Sequence, residues 1–309
     1  MTSTVHDDLP MQPQLNTDTS TISAMVPTAD QDIAFSFVRE LASELSGGKV
    51  ELPGFPHIVM RVQRVLSDPN ADLSRIVRVI GGEPVLATQL MRMANSAALN
   101  PGAQPVSDLR SAVARVGLDI VRSATIAFAV RQLRSATGLR GLESQLGDLW
   151  KRSVQVASLS FVIARRQTGV APDTALLCGL LQGVGRLYIL TRASGHRSLF
   201  HDAAAYRAIE HAWHLSIAAA LLENWSMADE IVQAVQESEN YERDARGPVT
   251  LTDVLIAGTL LADLDDGQDL RQRLGKARPL QRLQIAPLAC ETLLEESAQE
   301  IAALREALG

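Results

Sequence analysis

Ala175-Leu176-Leu177-Cys178-Gly179-Leu180-Leu181-Gln182-Gly183-Val184-Gly185-Arg186-Leu187-Tyr188 is the stretch whose reading decides the fold. Apolar residues run through it almost without a break, nothing alternates with period two, and the span Asp173 to Leu190 reads as a buried helix. Gly179, Gly183 and Gly185 resemble the spaced glycines of a phosphate-cradling loop. No strand leads into them, so close packing between helices explains them better. Gln182 is the single amide set in this apolar run.

Working outward, the composition agrees with packed helices. The 309 residues are 46% hydrophobic and only 4% aromatic, a balance of Leu, Ala, Val and Ile that favours helix over β-sandwich. The expected class is all-α. No apolar run reaches the roughly 20 residues that cross a bilayer, and the Thr/Asp-rich start lacks a signal peptide's charged and apolar regions, so a cytoplasmic chain is expected. Cys178 and Cys290 lie far apart in apolar helical surroundings and read as buried reduced thiols.

Punctuation divides the chain further. Residues 1–30 are rich in Thr, Ser, Pro, Gln and Asp and read as a disordered tail. An apolar face then runs from Ile33 to Leu45 and stops at Ser46-Gly47-Gly48, and Leu52-Pro53-Gly54-Phe55-Pro56 forms a rigid turn into a helix that ends before Asp68-Pro69. Asp72 can cap a helix over Leu73 to Ile80, Pro84 opens one running to about Asn95, and Ser107 can cap another ending at Gly117, after which Leu118 to Leu133 continues. Later helices are expected over Leu146 to Arg166, Asp173 to Leu190, Ile209 to Trp225, Ala228 to Glu239, Leu251 to Leu264 and Pro287 to Leu308.

The net charge of −6 is unevenly spread: eleven arginines face five acids between Leu52 and Arg140, whereas nineteen acids face nine bases from His201 onward. Such a chain either pairs its halves internally or offers a basic face to an acidic partner. A helix-turn-helix signature and basic-aromatic interleaving are both missing, which argues against nucleic acid as the partner class.

On this map a resemblance becomes specific. Leu52 to Pro56, Asp72-Leu73-Ser74-Arg75-Ile76, Glu83 to Ala97, Val106 to Val113, Val116-Gly117-Leu118, Leu149-Trp150 with Ser153 and Ala157, Gly179 to Leu187, and His214 with Leu221-Leu222 and Trp225 follow in one order. Together they are similar to the HDOD (HD-related output domain) family over about Val50 to Ala262. The resemblance implies an N-terminal helical lobe (31–145) packed on a degenerate HD-like lobe (146–265), with a C-terminal helical extension (266–309).

In catalytic members of the HD superfamily the central segment reads Gly-Leu-Leu-His-Asp-Ile-Gly-Arg/Lys-Leu, and its His-Asp pair binds a metal that activates water. Gln182 and Gly183 take those two places here, and neither can replace a His-carboxylate pair. Carried across position by position, the first histidine falls at Arg152, the next survives as His214, the His-His place falls near Ser238-Glu239, and the late Ala-Asp pair falls at Ala257-Gly258. The resemblance therefore implies no metal, no cofactor and no catalysis. His211 and His214, three residues apart on one helix face, could bind a single transition metal with Glu210 or a distant residue, but no third ligand is legible and they read as a structural pair. His57 reads as a surface or capping side chain.

The expected function is that of a bacterial signalling output protein acting through protein contacts, in motility, surface behaviour or stress control downstream of two-component or cyclic-dinucleotide pathways. Its candidate interaction residues are Arg64, Arg78 and Arg92. An alternative is a pseudoenzyme that uses Arg152, Arg186 and His214 to hold an anion or nucleotide in the old cavity. The oligomeric state is left open.

Overall fold

The structure is a computed structural model that describes residues 29–48, 50–52, 57–100, 104–134, 139–167, 169–263, 277–285 and 287–308. Residues 1–28 of the expected disordered tail and the Pro53 to Pro56 turn lie outside the described residues, and the tail's last two expected residues, Ala29 and Asp30, instead open the first helix. Among those described there are helices and no strand: α1 (Ala29–Ser46), α2 (His57–Leu66), α3 (Leu73–Gly81), α4 (Pro84–Ala94), α5 (Leu109–Arg134), α6 (Glu143–Gln167), α7 (Pro172–Leu181), α8 (Val184–Ala193), α9 (Ala203–Asn224), α10 (Asp229–Gln236), α11 (Leu251–Ala262), α12 (Arg278–Arg282) and α13 (Pro287–Leu308). The chain is all-α, as its composition predicts.

Local chemistry sets most boundaries. The Asp72 carboxylate accepts the Arg75 N–H at 2.7 Å and starts α3, and Pro84 occupies the first turn of α4, where its missing N–H costs nothing. Asn95 ends α4 and then ties down the following loop: its Nδ2 donates to the Val106 carbonyl at 2.9 Å and its Oδ1 accepts the Val106 N–H at 2.7 Å. Gly117 breaks α5 with φ +77° and ψ 173°, a backbone state open only to glycine.

Four sequence expectations are corrected. The cap of α5 is Asp108, whose carboxylate accepts the Ser111 N–H at 2.9 Å, and not Ser107. The helix α9 begins at Ala203 instead of Ile209, because Asp202 accepts the N–H groups of both Ala204 and Ala205. The span from Asp173 to Leu190 is two helices, α7 and α8, parted at Gln182-Gly183. Taken as one 22-residue run, Pro172–Ala193 is apolar enough by composition to cross a bilayer, contrary to expectation, but 89% of its apolar window is buried among the other helices.

The core explains that burial. Helix α7 is enclosed by α5, α6, α10 and α11, and Ala175 to Leu181 are all buried on it. Cys178 is a free, fully buried thiol whose pKa burial pushes up; the Cys290 side chain lies outside the described residues. Helix α13 closes the molecule by packing along α6 and α4, with Leu304 and Leu308 in the same continuous core as Phe37 and Leu86.

Candidate functional site

Gly183 and Gly258 stand where ligand carboxylates are expected, and each is pressed against α6. A Cβ on Gly183 would lie 2.4 Å from Ser153 Oγ, and one on Gly258 would lie 2.4 Å from Ser160 Oγ and 3.3 Å from the Val156 carbonyl. Neither position has room for a methyl group without movement, far less for a carboxylate. The void bounded by Trp150, Ser153, Gly183 and Val184 encloses only about 10 Å³, the lower limit for a single water. Helix packing has consumed this part of the expected cavity.

The same packing brings α8 and α9 together. A Cβ on Gly185 would fall 1.9 Å from the carbonyl oxygen of His214, so the two backbones touch and the next residue, Arg186, is delivered beside the His214 ring. Glu239 approaches from the turn after α10. That turn is held through Glu237, which accepts from Arg243 Nε at 2.7 Å, and through the buried Asp253, which binds Arg243 Nη1 at 3.0 Å and Arg282 Nη2 at 3.2 Å.

A compact charged cluster results. Arg186 Nη2 lies 2.7 Å from Glu239 Oε1 and 3.1 Å from His214 Nε2, and Arg186 Nε lies 3.9 Å from Glu210 Oε2. His214 is 1% exposed and its Nε2 is 3.3 Å from Glu239 Oε1, while the exposed His211 places Nδ1 3.7 Å from Glu239 Oε2. A guanidinium cannot accept, so the Arg186–His214 contact is a hydrogen bond only in the tautomer protonated on Nδ1; in the other tautomer Nε2 donates to Glu239. Burial pushes the Glu239 carboxyl up, but the His214 imidazole and the Arg186 guanidinium beside it outweigh burial and bring it down to about 2. Burial raises Glu210, with Arg186 opposing.

The expected positions thus separate into three groups. Arg186, His214 and the Ser238-Glu239 turn converge. Gln182, Gly183 and Gly258 are buried, and the two glycines pack against α6. Arg152 forms a two-point ion pair with Asp263, one arm at 3.1 Å, which keeps its charge secure against burial. Glu239 corrects the reading of His211 and His214 as a pair with no third group: the three ligand atoms lie within 4.8 Å of one another. The sequence flagged Glu239 only through the Ser238-Glu239 place and did not flag Asp263 at all; the fold shows that Glu239 binds Arg186 and His214 and that Asp263 binds Arg152.

These residues do not fit a binuclear metal centre. Two of the expected ligand positions are glycines, which supply no ligand atom, a third is an arginine, and a guanidinium already neutralises the carboxylate at a fourth. Nor is the anion site outlined by Arg152, Arg186 and His214 electropositive, since both arginines are matched by carboxylates at contact distance.

Among the candidate interaction residues, Arg64 on α2 and Arg78 on α3 are exposed and make no ion pair among the described residues. Arg92 differs from expectation: its Nη2 donates to the Glu306 carbonyl at 2.9 Å and fastens α13 to α4, so it is a latch and not a free surface charge.

With this geometry in place, comparison with known proteins decides the family. A model of the HDOD domain matches residues 52–241. The chain belongs to the HDOD family. Its fold is also that of a Shewanella amazonensis SB2B protein named as a candidate metal-dependent phosphohydrolase, at a TM-score of 0.72 and 24% identity over 90% of this chain and 100% of that one. A candidate signal transduction protein from Marinobacter aquaeolei VT8 superposes at a TM-score of 0.56 with 24% identity, covering 91% of this HDOD chain and 66% of its own. An uncharacterised Treponema pallidum (strain Nichols) protein is 24% identical over 234 residues, 71% of this chain, and this HDOD chain spans 44% of its length.

Proposed function

We propose that this HDOD protein is a non-catalytic regulatory component of bacterial signal transduction that acts by contacting other proteins. The observation that carries the reading is the internal neutralisation of the old site: Arg186 holds Glu239 and His214, and glycines packed on α6 stand where acids would bind metal. A water-activating centre needs an open coordination position and a polar cavity, and the residues here supply neither. The family, and the signal-transduction name of the Marinobacter protein that shares the fold, support regulation as the remaining role. Motility, surface behaviour and stress control, downstream of two-component or cyclic-dinucleotide pathways, are the processes proposed, in the cytoplasm.

The test pairs elemental analysis with turnover. Purified full-length protein is expected to carry no stoichiometric iron, manganese or zinc, and to leave bis(p-nitrophenyl) phosphate and cyclic di-GMP intact after manganese is added. Hydrolysis that a chelator abolishes would overturn the non-catalytic reading.

A further inference from the structure

Helix α2 and the C-terminal end of α9 face each other across a cleft in which one side chain lacks a partner. Met60, Gln63 and Arg64 share a face of α2, since residues three and four apart on a helix are neighbours, and Asn224, Trp225 and Ser226 form the opposite wall around about 270 Å³. Gln63 is 3% exposed, and neither Oε1 nor Nε2 of its carboxamide has a hydrogen-bond partner among the described residues. Buried amides in folded proteins are almost always bonded, so one left unpaired at both ends points to a partner that the chain does not supply.

The walls are held from outside the cleft. Asn224 Nδ2 donates to the Val50 carbonyl at 3.1 Å and ties the segment before α2 to the end of α9. Ser226 closes α9 in the left-handed region at φ 52°, its N–H donating to the Glu223 carbonyl at 2.9 Å and the Met227 N–H to the Leu222 carbonyl at 3.0 Å. Beyond Met60 and Arg64 the cleft continues into a second space of about 560 Å³ along Val50, Leu52 and His57, and Asn224 and Trp225 border both. An elongated groove with fixed walls suits a length of chain.

We propose that this groove takes an extended peptide segment of a partner protein, with one peptide residue paired to both ends of the Gln63 carboxamide and an acidic side chain on Arg64. An extended residue presents its N–H and C=O to the same side, as in the two-bond pair of an antiparallel ladder, and a carboxamide offers the complementary acceptor and donor in one plane. Arg64 is the one charged side chain lining the space around Gln63, and it is exposed without an ion pair among the described residues. Met60, 39% exposed, and the buried Trp225 supply apolar contact. The Gln63 amide is closed to solvent, so the peptide reaches it as the wall gives, and the unbranched Met60 thioether one turn earlier is an adaptable part of that wall. This assignment rests on the protein-contact reading above and names the surface and the chemistry of the contact.

A displayed library of random linear peptides selected on the full chain tests it, with fluorescence anisotropy of the enriched sequences beside melting curves. Enriched peptides are expected to share an acidic residue. Gln63→Leu keeps the bulk and removes the amide; it is expected to weaken these peptides about tenfold and to melt at or above the native temperature, because no internal hydrogen bond is lost. Arg64→Gln is expected to weaken them about threefold at low salt and less as salt rises, and to melt as native. The proposal is overturned if nothing is enriched, if the affinities ignore both substitutions, or if Gln63→Leu melts well below native, which would mean that bound water already satisfies the amide. Metal-dependent hydrolysis would overturn the non-catalytic reading without moving these affinities, whereas failure here leaves partner contact to another face, so the two failures are told apart.

Discussion

The glycines of the central segment differ in what each one touches, and that difference orders the cost of replacing them. A Cβ at Gly185 meets the His214 carbonyl, and one at Gly179 meets the Ala157 Cα at 2.4 Å and N at 2.7 Å; both obstacles are backbone, so whole helices must part. At Gly183 the obstacle is the Ser153 hydroxyl, which can rotate to another rotamer. Gly185→Ala and Gly179→Ala are therefore expected to cost about 3 kcal/mol or more, and Gly183→Ala under about 1 kcal/mol, as read by urea denaturation. Equal costs at the three positions would contradict the contact geometry. Glu239 adds a pH term. Its carboxyl, ordinarily near 4.5, is held at about 2, so the stability it contributes is complete above about pH 4.5 and is lost as the pH falls toward 2. Glu239→Gln is expected to flatten the acid limb of a melting-temperature profile over that window and leave the alkaline limb unchanged.

At the scale of elements, α13 is the piece whose importance is least visible from its own sequence. It presents Leu304 and Leu308 to the core, and polar contacts guide its line: Arg165 to Glu300 at 2.5 Å, Arg166 to Glu296 at 3.0 Å, and Gln89 Nε2 to the Leu308 carbonyl at 3.3 Å. The two ion pairs are partly exposed and are worth little individually. Truncation after residue 286 is expected to yield insoluble or molten protein, whereas the charge exchange Arg165→Glu with Glu300→Arg is expected to move the melting temperature by no more than a few degrees. Calorimetry on both variants checks this pair of outcomes. The helices themselves were legible in the sequence, because Asp72, Pro84, Asn95 and Gly117 act through neighbours only a few positions away. Less legible was the break at Gln182-Gly183: apolar periodicity is blind to a bend inside a uniformly buried run. Asp263 stayed hidden for another reason, since its partner Arg152 lies 111 positions away, and the Ser238-Glu239 place was legible without its partner Arg186, which lies 53 positions away.

Across the whole molecule, the excess of arginine in the N-terminal half is only partly spent on internal contacts. Arg75 pairs with Asp68, Arg122 with Asp119, Arg110 reaches Ser74, Arg115 reaches the Gln104 carbonyl, and Arg92 holds α13. Arg64 and Arg78 stay exposed without an ion pair among the described residues. Arg64 also borders a cleft of about 270 Å³ with Met60, Gln63, Ser67, Asn224 and Trp225, where helices from both halves of the chain meet.

That division of labour separates binding from folding in one experiment. Arg64→Glu and Arg78→Glu reverse surface charges that make no hydrogen bond or ion pair among the described residues, so the melting temperature is expected to stay within a few degrees of native. Association with a protein recovered from native extract by the tagged chain is expected to slow about tenfold at low salt, and the deficit to shrink as ionic strength shortens the Debye length from about 10 Å at 0.1 M to about 3 Å at 1 M. Arg92→Glu is the opposite case: it deletes the donor to the Glu306 carbonyl and sets a carboxylate against it, so it should lower the melting temperature before it affects any encounter rate. Surface plasmon resonance across a salt series, beside thermal melts of the same preparations, reads both. If Arg92→Glu alone impaired association while melting as native, the interface would lie over α4 and the C-terminal helix; if all three variants associated normally, the arginine face would have no part in recognition.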